Sequence, residues 1–321
     1  MSLPEVTRRM FADSDKKRDA GLTTPEDISR DDDISYGKFG VWNHLDVYKP
    51  KQANGPLPVI VSCHGGGWVY GDKEVYQHYC MSLAQRGFVV VNYNYRLAPE
   101  DKFPFSLYDT DNVFRWINDN KDIYGFDTDN VFAVGDSAGA NLLCVYINLI
   151  NDEEYVNRLN TYFTNNKEMV FEKSKSIEES DYAYIKDFKP QKHIKIKAVG
   201  LNCGKYGFEE EKKKPGLKDL VKFLFVNEGT HEEFELLDVL TNINEKFPPA
   251  FIMTCTGDFL IKEAGKLADV LEDKGVPFEY HFYSHPKREK SLGHVFHCNM
   301  RLDSARICND EECNFFKKHI K

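Results

Sequence analysis

Val131-Phe132-Ala133-Val134-Gly135-Asp136-Ser137-Ala138-Gly139 runs straight into Ala140-Asn141-Leu142-Leu143-Cys144-Val145-Tyr146-Ile147-Asn148-Leu149-Ile150. The first four residues read as a short buried strand, and Ala138–Ile150 reads as an apolar helix. Between them, small residues flank Ser137. A strained strand-to-helix turn needs such residues, because the two elements approach closely and the serine hydroxyl is left exposed at the sheet edge. The helix N-terminus behind the turn favours developing negative charge. A GxSxG pentapeptide alone also arises by chance and in tight turns, so its weight comes from the strand before it and the helix after it.

The same alternation recurs on both sides of this turn. Strand-like runs at Pro58–Cys63, Gly87–Tyr93, Ile194–Leu201, Ala250–Thr256 and Phe278–Tyr283 are separated by helical patterns at Tyr76–Arg86, Leu107–Asn120, Leu260–Lys274 and Asp303–Lys318. That pattern predicts an α/β fold with a mostly parallel central sheet flanked by helices. Gly40–Tyr48 fits an antiparallel edge strand. The 321 residues are read as one catalytic domain, 1–321, with insertions. Asn151–Pro190 is charged and free of Gly yet holds seven aromatic residues, too many for a solvated linker. Lys205–Phe247 opens on the charge run Glu209–Lys214 and continues into the amphipathic Leu217–Val226. With residues 1–35, the stretches 151–190 and 205–247 are expected to cap the carboxyl edge of the sheet, where open α/β folds bind ligands. Surface decoration is the alternative for Asn151–Pro190.

Hydrophobic residues make up 41% of the chain, enough for a large core, while a net charge of −9 removes the phosphate attraction that drives nucleic-acid binding. No stretch reaches the roughly 20 apolar residues of a membrane span. The first twenty residues lack the apolar run of a signal peptide, so a cytoplasmic location is expected, with an export signal cut away ahead of Met1 as the alternative. The eight cysteines lie in unlike contexts without CxxC pairs or zinc-ligand spacing, which favours buried free thiols over disulfides.

Upstream, His64-Gly65-Gly66-Gly67-Trp68 directly follows the strand Pro58–Cys63. Successive glycines leave backbone N–H groups uncovered, which suits a loop that donates hydrogen bonds to an oxyanion. A plain tight turn is the bland reading. Phosphate-loop patterns GxGxxG and GxxxxGK[ST] are absent. His64 itself reads as a structural hydrogen-bonder of the loop.

HGGG followed by GDSAG, with Tyr95-Arg96-Leu97-Ala98-Pro99-Glu100 and Phe103-Pro104 between them, resembles the hormone-sensitive-lipase-like esterase/lipase branch of the α/β-hydrolases over about residues 58 to 300. Two departures are Ala140, where many members carry glycine, and the length of Asn151–Pro190. The resemblance implies an α/β-hydrolase fold with Ser137 as nucleophile, an acid after the next-to-last strand and a histidine after the last. Asp258, in Thr256-Gly257-Asp258-Phe259-Leu260, fills the first position; Glu263 is read as a surface or helix-start charge. His294, in Leu292-Gly293-His294-Val295-Phe296, fills the second. His281, His285 and His297 are rivals, with His285 and His297 the stronger. Gly66, Gly67 and Ala138 are the expected oxyanion donors, and which glycines contribute stays open. The implied activity is carboxylic-ester hydrolysis through an acyl-enzyme on short- to medium-chain acyl esters, with acylated sugars a narrower form. No metal or organic cofactor is implied, and a small-molecule ester is the expected partner. Homodimerisation stays open. Alternatives are an amidase or peptidase of the same fold, or a non-catalytic ligand-binding protein, which the full Ser-Asp-His set disfavours.

Overall fold

The computed structural model describes residues 1–178, 181, 185–208, 217–284 and 292–321. Eight strands, β1 (Ile28–Ser35), β2 (His44–Pro50), β3 (Leu57–Cys63), β4 (Val89–Tyr93), β5 (Phe126–Asp136), β6 (Ile196–Asn202), β7 (Ala250–Cys255) and β8 (Phe278–Tyr283), form one sheet. Their spatial order is β1-β2-β4-β3-β5-β6-β7-β8. The β1–β2 and β2–β4 pairings are antiparallel and the others parallel. This is the α/β-hydrolase fold expected from the motif order.

Alternation along the strands sorts the core into two layers. Val59, Val61, Val131 and Ala133 join the cluster on one face, while Ile60, Phe132 and Val134 join the other. The helices are α1 (Leu3–Asp19), α2 (Lys73–Ala84), α3 (Phe105–Asp119), α4 (Lys121–Tyr124), α5 (Ser137–Asn151), α6 (Glu153–Asn165), α7 (Lys167–Lys173), α8 (Leu217–Val221), α9 (His231–Leu237), α10 (Ile261–Asp273) and α11 (Asp303–Lys317). Residues of α3, α5, α6 and α10 build the first layer; α2 and α11 build the second. Among the described residues, no helix is long and apolar enough to cross a membrane. All eight cysteines are buried and unpaired.

Two sequence readings need adjustment. The strand expected within Gly40–Tyr48 lies at His44–Pro50 and is not the edge: β1 pairs outside it, from Ile28 opposite Pro50 to Ser35 opposite His44. Three successive aspartates hid β1 from a search for apolar runs. Residues 28–35 therefore belong to the sheet, and α1 is what residues 1–35 place near its carboxyl edge. Ser2 caps α1 reciprocally with Glu5, and Pro4 sits in the first turn, where its missing N–H is harmless. Within 151–190, α6 packs against the segment that carries α9, with the Tyr155 hydroxyl donating to Leu236 O (2.6 Å) and the Tyr162 hydroxyl to Glu233 Oε1 (2.6 Å). The charge run Glu209–Lys214 falls outside the described residues.

One buried carboxyl sets a pH dependence. On α11, Glu312 accepts from the Tyr79 hydroxyl (2.7 Å) and from Asn202 Nδ2 (2.8 Å). Burial pushes it up from 4.5 to about 7, against both hydrogen bonds. The folded state thus holds this proton more tightly than the unfolded chain, so stability falls as pH rises from about 4.5 to about 7 and the cost is complete above that. That cost is on the order of 3 kcal/mol. Glu312→Gln is expected to raise Tm by several degrees at pH 8 and by much less at pH 4.5, since Asn202 Oδ1 has no hydrogen-bond partner among the described residues and an amide flip lets it accept. Thermal melts at the two pH values check this; an equal shift at both refutes it.

Candidate active site

Ser137 directly follows β5 and begins α5 with φ +50°, the left-handed region that an L-residue occupies only under constraint. The constraint is the close approach of α5 to β3. A Cβ on Gly139 would lie 2.3 Å from the carbonyl oxygens of both Cys63 and His64, so only glycine fits there. This turn lifts the serine hydroxyl above the sheet edge.

His294 Nε2 lies 2.9 Å from Ser137 Oγ, and His294 Nδ1 lies 2.7 Å from Asp258 Oδ1. Asp258 also accepts from Thr254 Oγ1 (2.8 Å) and from the Leu260 N–H (2.9 Å). Burial pushes its carboxyl up, but the hydrogen bond and charge of His294, aided by Leu260 and Thr254, outweigh this and leave it below its ordinary value. The imidazole is held from behind as well. Gly257 bridges Gly293 in parallel register, and the Gly257 N–H donates to Leu292 O at 3.1 Å, pinning the chain just before His294 to the end of β7.

The rival histidines do other things. His297 is buried edge-on against Tyr79 (4.9 Å between ring centroids), and burial pushes it down to about 3, so it stays neutral. His281 lies in β8 between Glu279 (3.3 Å) and Glu311 (3.2 Å). His285 falls outside the described residues. Glu263 is not a surface charge: it is buried in the first turn of α10, accepting from Lys205 Nζ (3.1 Å) and the N–H groups of Tyr206 (3.1 Å) and Gly207 (2.9 Å).

The glycine loop is braced by the serine turn itself. The Gly65 N–H donates to Asp136 Oδ1 (3.1 Å), and the Tyr76 hydroxyl donates to Asp136 Oδ2 (2.7 Å). Burial pushes Asp136 up to about 6, opposed by Tyr76, His294 and the Gly65 N–H. His64 stacks on Tyr95 (4.2 Å) and pairs through Nδ1 with Gly65 O (2.8 Å). Burial pushes it down to about 4, so Nδ1 carries the proton donated to that carbonyl. Gly66 and Gly67 adopt φ +118° and +62°. Among the described residues their N–H groups donate to no protein atom. The Ala138 N–H lies in the first turn of α5, where no intrahelical acceptor exists. Sequence reasoning missed Asp136 as the brace, although it sits inside the quoted motif.

It also missed α1. Arg8 donates to Val69 O (2.6 Å) and Ala98 O (2.9 Å) and grips Glu100 through two bonds (2.9 and 2.5 Å), tying α1 to the Tyr95–Glu100 segment. Phe11 and Arg18 of α1, Leu220 of α8 and Phe259 then line, with Ser137 and His294, a cleft of about 270 Å³. Cys203, Asp258 and His294 place a thiol, a carboxylate and an imidazole within 4.8 Å of one another. Both His294 nitrogens are engaged by Ser137 and Asp258, which leaves no lone pair there for an ion in this arrangement.

Residues 45–266 match the BD-FAE family, well over half of the chain. The chain belongs to the BD-FAE family. It is 29% identical over 244 residues to the versiconal hemiacetal acetate esterase of Dothistroma septosporum, covering 74% of this chain and 67% of that protein. Over 132 residues it is 34% identical to the probable carboxylic ester hydrolase LipM of Mycobacterium tuberculosis, covering 40% of this chain and 31% of LipM. Among solved structures, esterase B from Lactobacillus rhamnosis superposes with a TM-score of 0.77 at 23% identity, covering 98% of this chain and 93% of that one. The metagenomic carboxylesterase EstE1 gives a TM-score of 0.70 at 21% identity, covering 100% and 98%. This BD-FAE member therefore shares its whole fold with both.

Proposed function

We propose that this chain is a serine carboxylic-ester hydrolase that works through an acyl-enzyme on short- to medium-chain esters. The observation that carries the reading is the unbroken path from Ser137 Oγ to His294 to Asp258, at 2.9 and 2.7 Å. The imidazole takes the serine proton as Oγ attacks the ester carbon, and Asp258 holds the tautomer and stabilises the imidazolium that forms. The N–H groups of Gly66, Gly67 and Ala138 receive the oxyanion, each worth about 3 kcal/mol of barrier. His294 then passes its proton to the leaving alkoxide, and water, deprotonated by the same imidazole, cleaves the serine ester. The relatives named above are esterases or carboxylic ester hydrolases by name, which supports the same bond as the target here. Eight buried thiols favour a reducing, cytoplasmic setting.

The test is covalent. An organophosphonate is expected to label Ser137 stoichiometrically, as located by peptide mapping, and Ser137→Ala is expected to abolish the label. Labelling elsewhere, or undiminished in the variant, overturns the assignment. Faster cleavage of an anilide than of the matched ester replaces the esterase reading with an amidase.

In this reading α1 and the α8 segment act as the cap. The cleft, about 270 Å³, sits at the lower end of usual ligand pockets of roughly 300–1,000 Å³. Leu220 closes on the glycine loop, its Cδ2 only 2.7 Å from where a Cβ on Gly67 would stand. On p-nitrophenyl esters, kcat/KM is expected to decline beyond about eight acyl carbons. Leu220→Ala is expected to raise the laurate-to-acetate ratio by fivefold or more, since each buried CH₂ adds about 0.8 kcal/mol. Highest kcat/KM on laurate in the unaltered protein refutes the short-chain claim.

A further inference from the structure

Phe259 directly follows Asp258 and is 68% exposed where the next residue, Leu260, is buried. A phenylalanine ring left in water forgoes burial that would stabilise the fold. Its ring centroid stands 4.2 Å from that of His294, at 41°, and it lines the same cleft as Ser137. Phe11, 40% exposed, lines that cleft too, held edge-on to Tyr70 at 5.6 Å. Two partly uncovered aromatic rings therefore face the reacting groups.

The chemistry says which half of the substrate meets Phe259. As the acyl C–O bond breaks, its electron pair goes to the leaving oxygen, which takes the proton from His294 Nε2, and the acyl group stays on Ser137. The leaving oxygen must come within about 3 Å of that nitrogen, so the alcohol half of the ester begins beside the imidazole. Phe259 packs its ring there, tilted 41° to the imidazole at 4.2 Å. We infer that Phe259 is a stacking platform for an aromatic leaving group, and that esters of aromatic alcohols are the substrate class this cleft selects. The inference rests on the serine-esterase reading. An offset or edge-to-face pair of aromatic rings changes binding by about three- to tenfold beyond the area it covers.

The experiment compares kcat/KM for benzyl acetate and 2-methoxyethyl acetate, which share an acyl group and release alcohols of similar acidity. The unaltered protein is expected to favour the benzyl ester. In Phe259→Ala the benzyl-to-methoxyethyl ratio is expected to fall about tenfold, whatever the substitution does to both rates through His294, and in Phe259→Trp the preference is expected to persist. Phe259→Leu gives the same reading with less lost bulk, should the alanine variant fold poorly. A ratio within twofold of the original in both Phe259→Ala and Phe259→Leu overturns the inference, as does an original preference for 2-methoxyethyl acetate. If neither ester is cleaved, or both are cleaved as fast after Ser137→Ala, the esterase reading fails and this inference with it.

Discussion

His294→Ala is expected to lower kcat by at least ~10³-fold while the protein remains folded. Without the imidazole, Ser137 keeps its hydroxyl proton, and no group remains to protonate the leaving oxygen. The side chain is partly exposed, so its removal opens little core, and Asp258 keeps its bonds from Thr254 and Leu260. Stability is expected to fall modestly. His297→Ala is expected to show the converse, because that ring is buried against Tyr79: a larger loss of Tm and most of the turnover retained. Steady-state kinetics beside thermal melts separate the two patterns. Abolished turnover in folded His297→Ala, with activity preserved in His294→Ala, reassigns the base. Asp258→Asn is expected to cost about 10²- to 10⁴-fold with geometry intact, because the amide stabilises the wrong tautomer.

How much of this was legible beforehand depends on the kind of signal. The central strands were readable because buried parallel strands are continuous apolar runs, as in β4 and β7, whereas the outer strand β8 was readable from its aromatic residues, and its boundaries at Phe278–Tyr283 coincide with the sequence reading. β1 was not, since Arg30, Asp31, Asp32 and Asp33 leave no apolar alternation on an edge strand with one open side. Ser137 was legible from the strand before it and the helix after it, Asp258 and His294 were read from a family resemblance, and the structure brings the three side chains into one hydrogen-bonded path. Their local context alone left His285 and His297 open. Glu263 was misjudged because a glutamate in a first helical turn is ordinarily solvated; burial came from the β6–α8 connection folding its N–H groups onto it. A cap contribution was expected from residues 1–35 as a whole, but nothing local in α1 says which of its side chains line the cleft. Its apolar residues Val6, Met10 and Phe11 look like a weak amphipathic surface helix until Arg8 ties it to Glu100, 92 positions away.

Gly66→Ala is expected to cost about 10²- to 10³-fold in kcat, with KM changed far less. Two independent reasons converge on this residue. At φ +118° an L-residue is strained, and the added Cβ would stand 2.0 Å from Tyr70 O and 2.5 Å from Tyr70 C. These are backbone atoms held by the loop's own bonds from the Val69 and Tyr70 N–H groups to Gly66 O (3.3 and 3.0 Å), so they cannot swing aside as a side-chain tip would. The loop must shift, and with it the N–H proposed to meet the oxyanion. That donor acts on charge that develops only in the transition state, so its loss falls on kcat. Gly67→Ala provides the internal comparison. Among the described residues its Cβ meets the Leu220 side chain alone, most closely the far end at Cδ2, and φ +62° is the ordinary left-handed well, which costs roughly 1–2 kcal/mol. It is expected to lose less turnover than Gly66→Ala at a comparable Tm. Kinetics on p-nitrophenyl acetate, with melting curves for both variants, provide the comparison. A folded Gly66→Ala protein within about threefold of the original kcat means that this loop does not hold the oxyanion, and the donors must then be sought at Ala138 and elsewhere along the cleft.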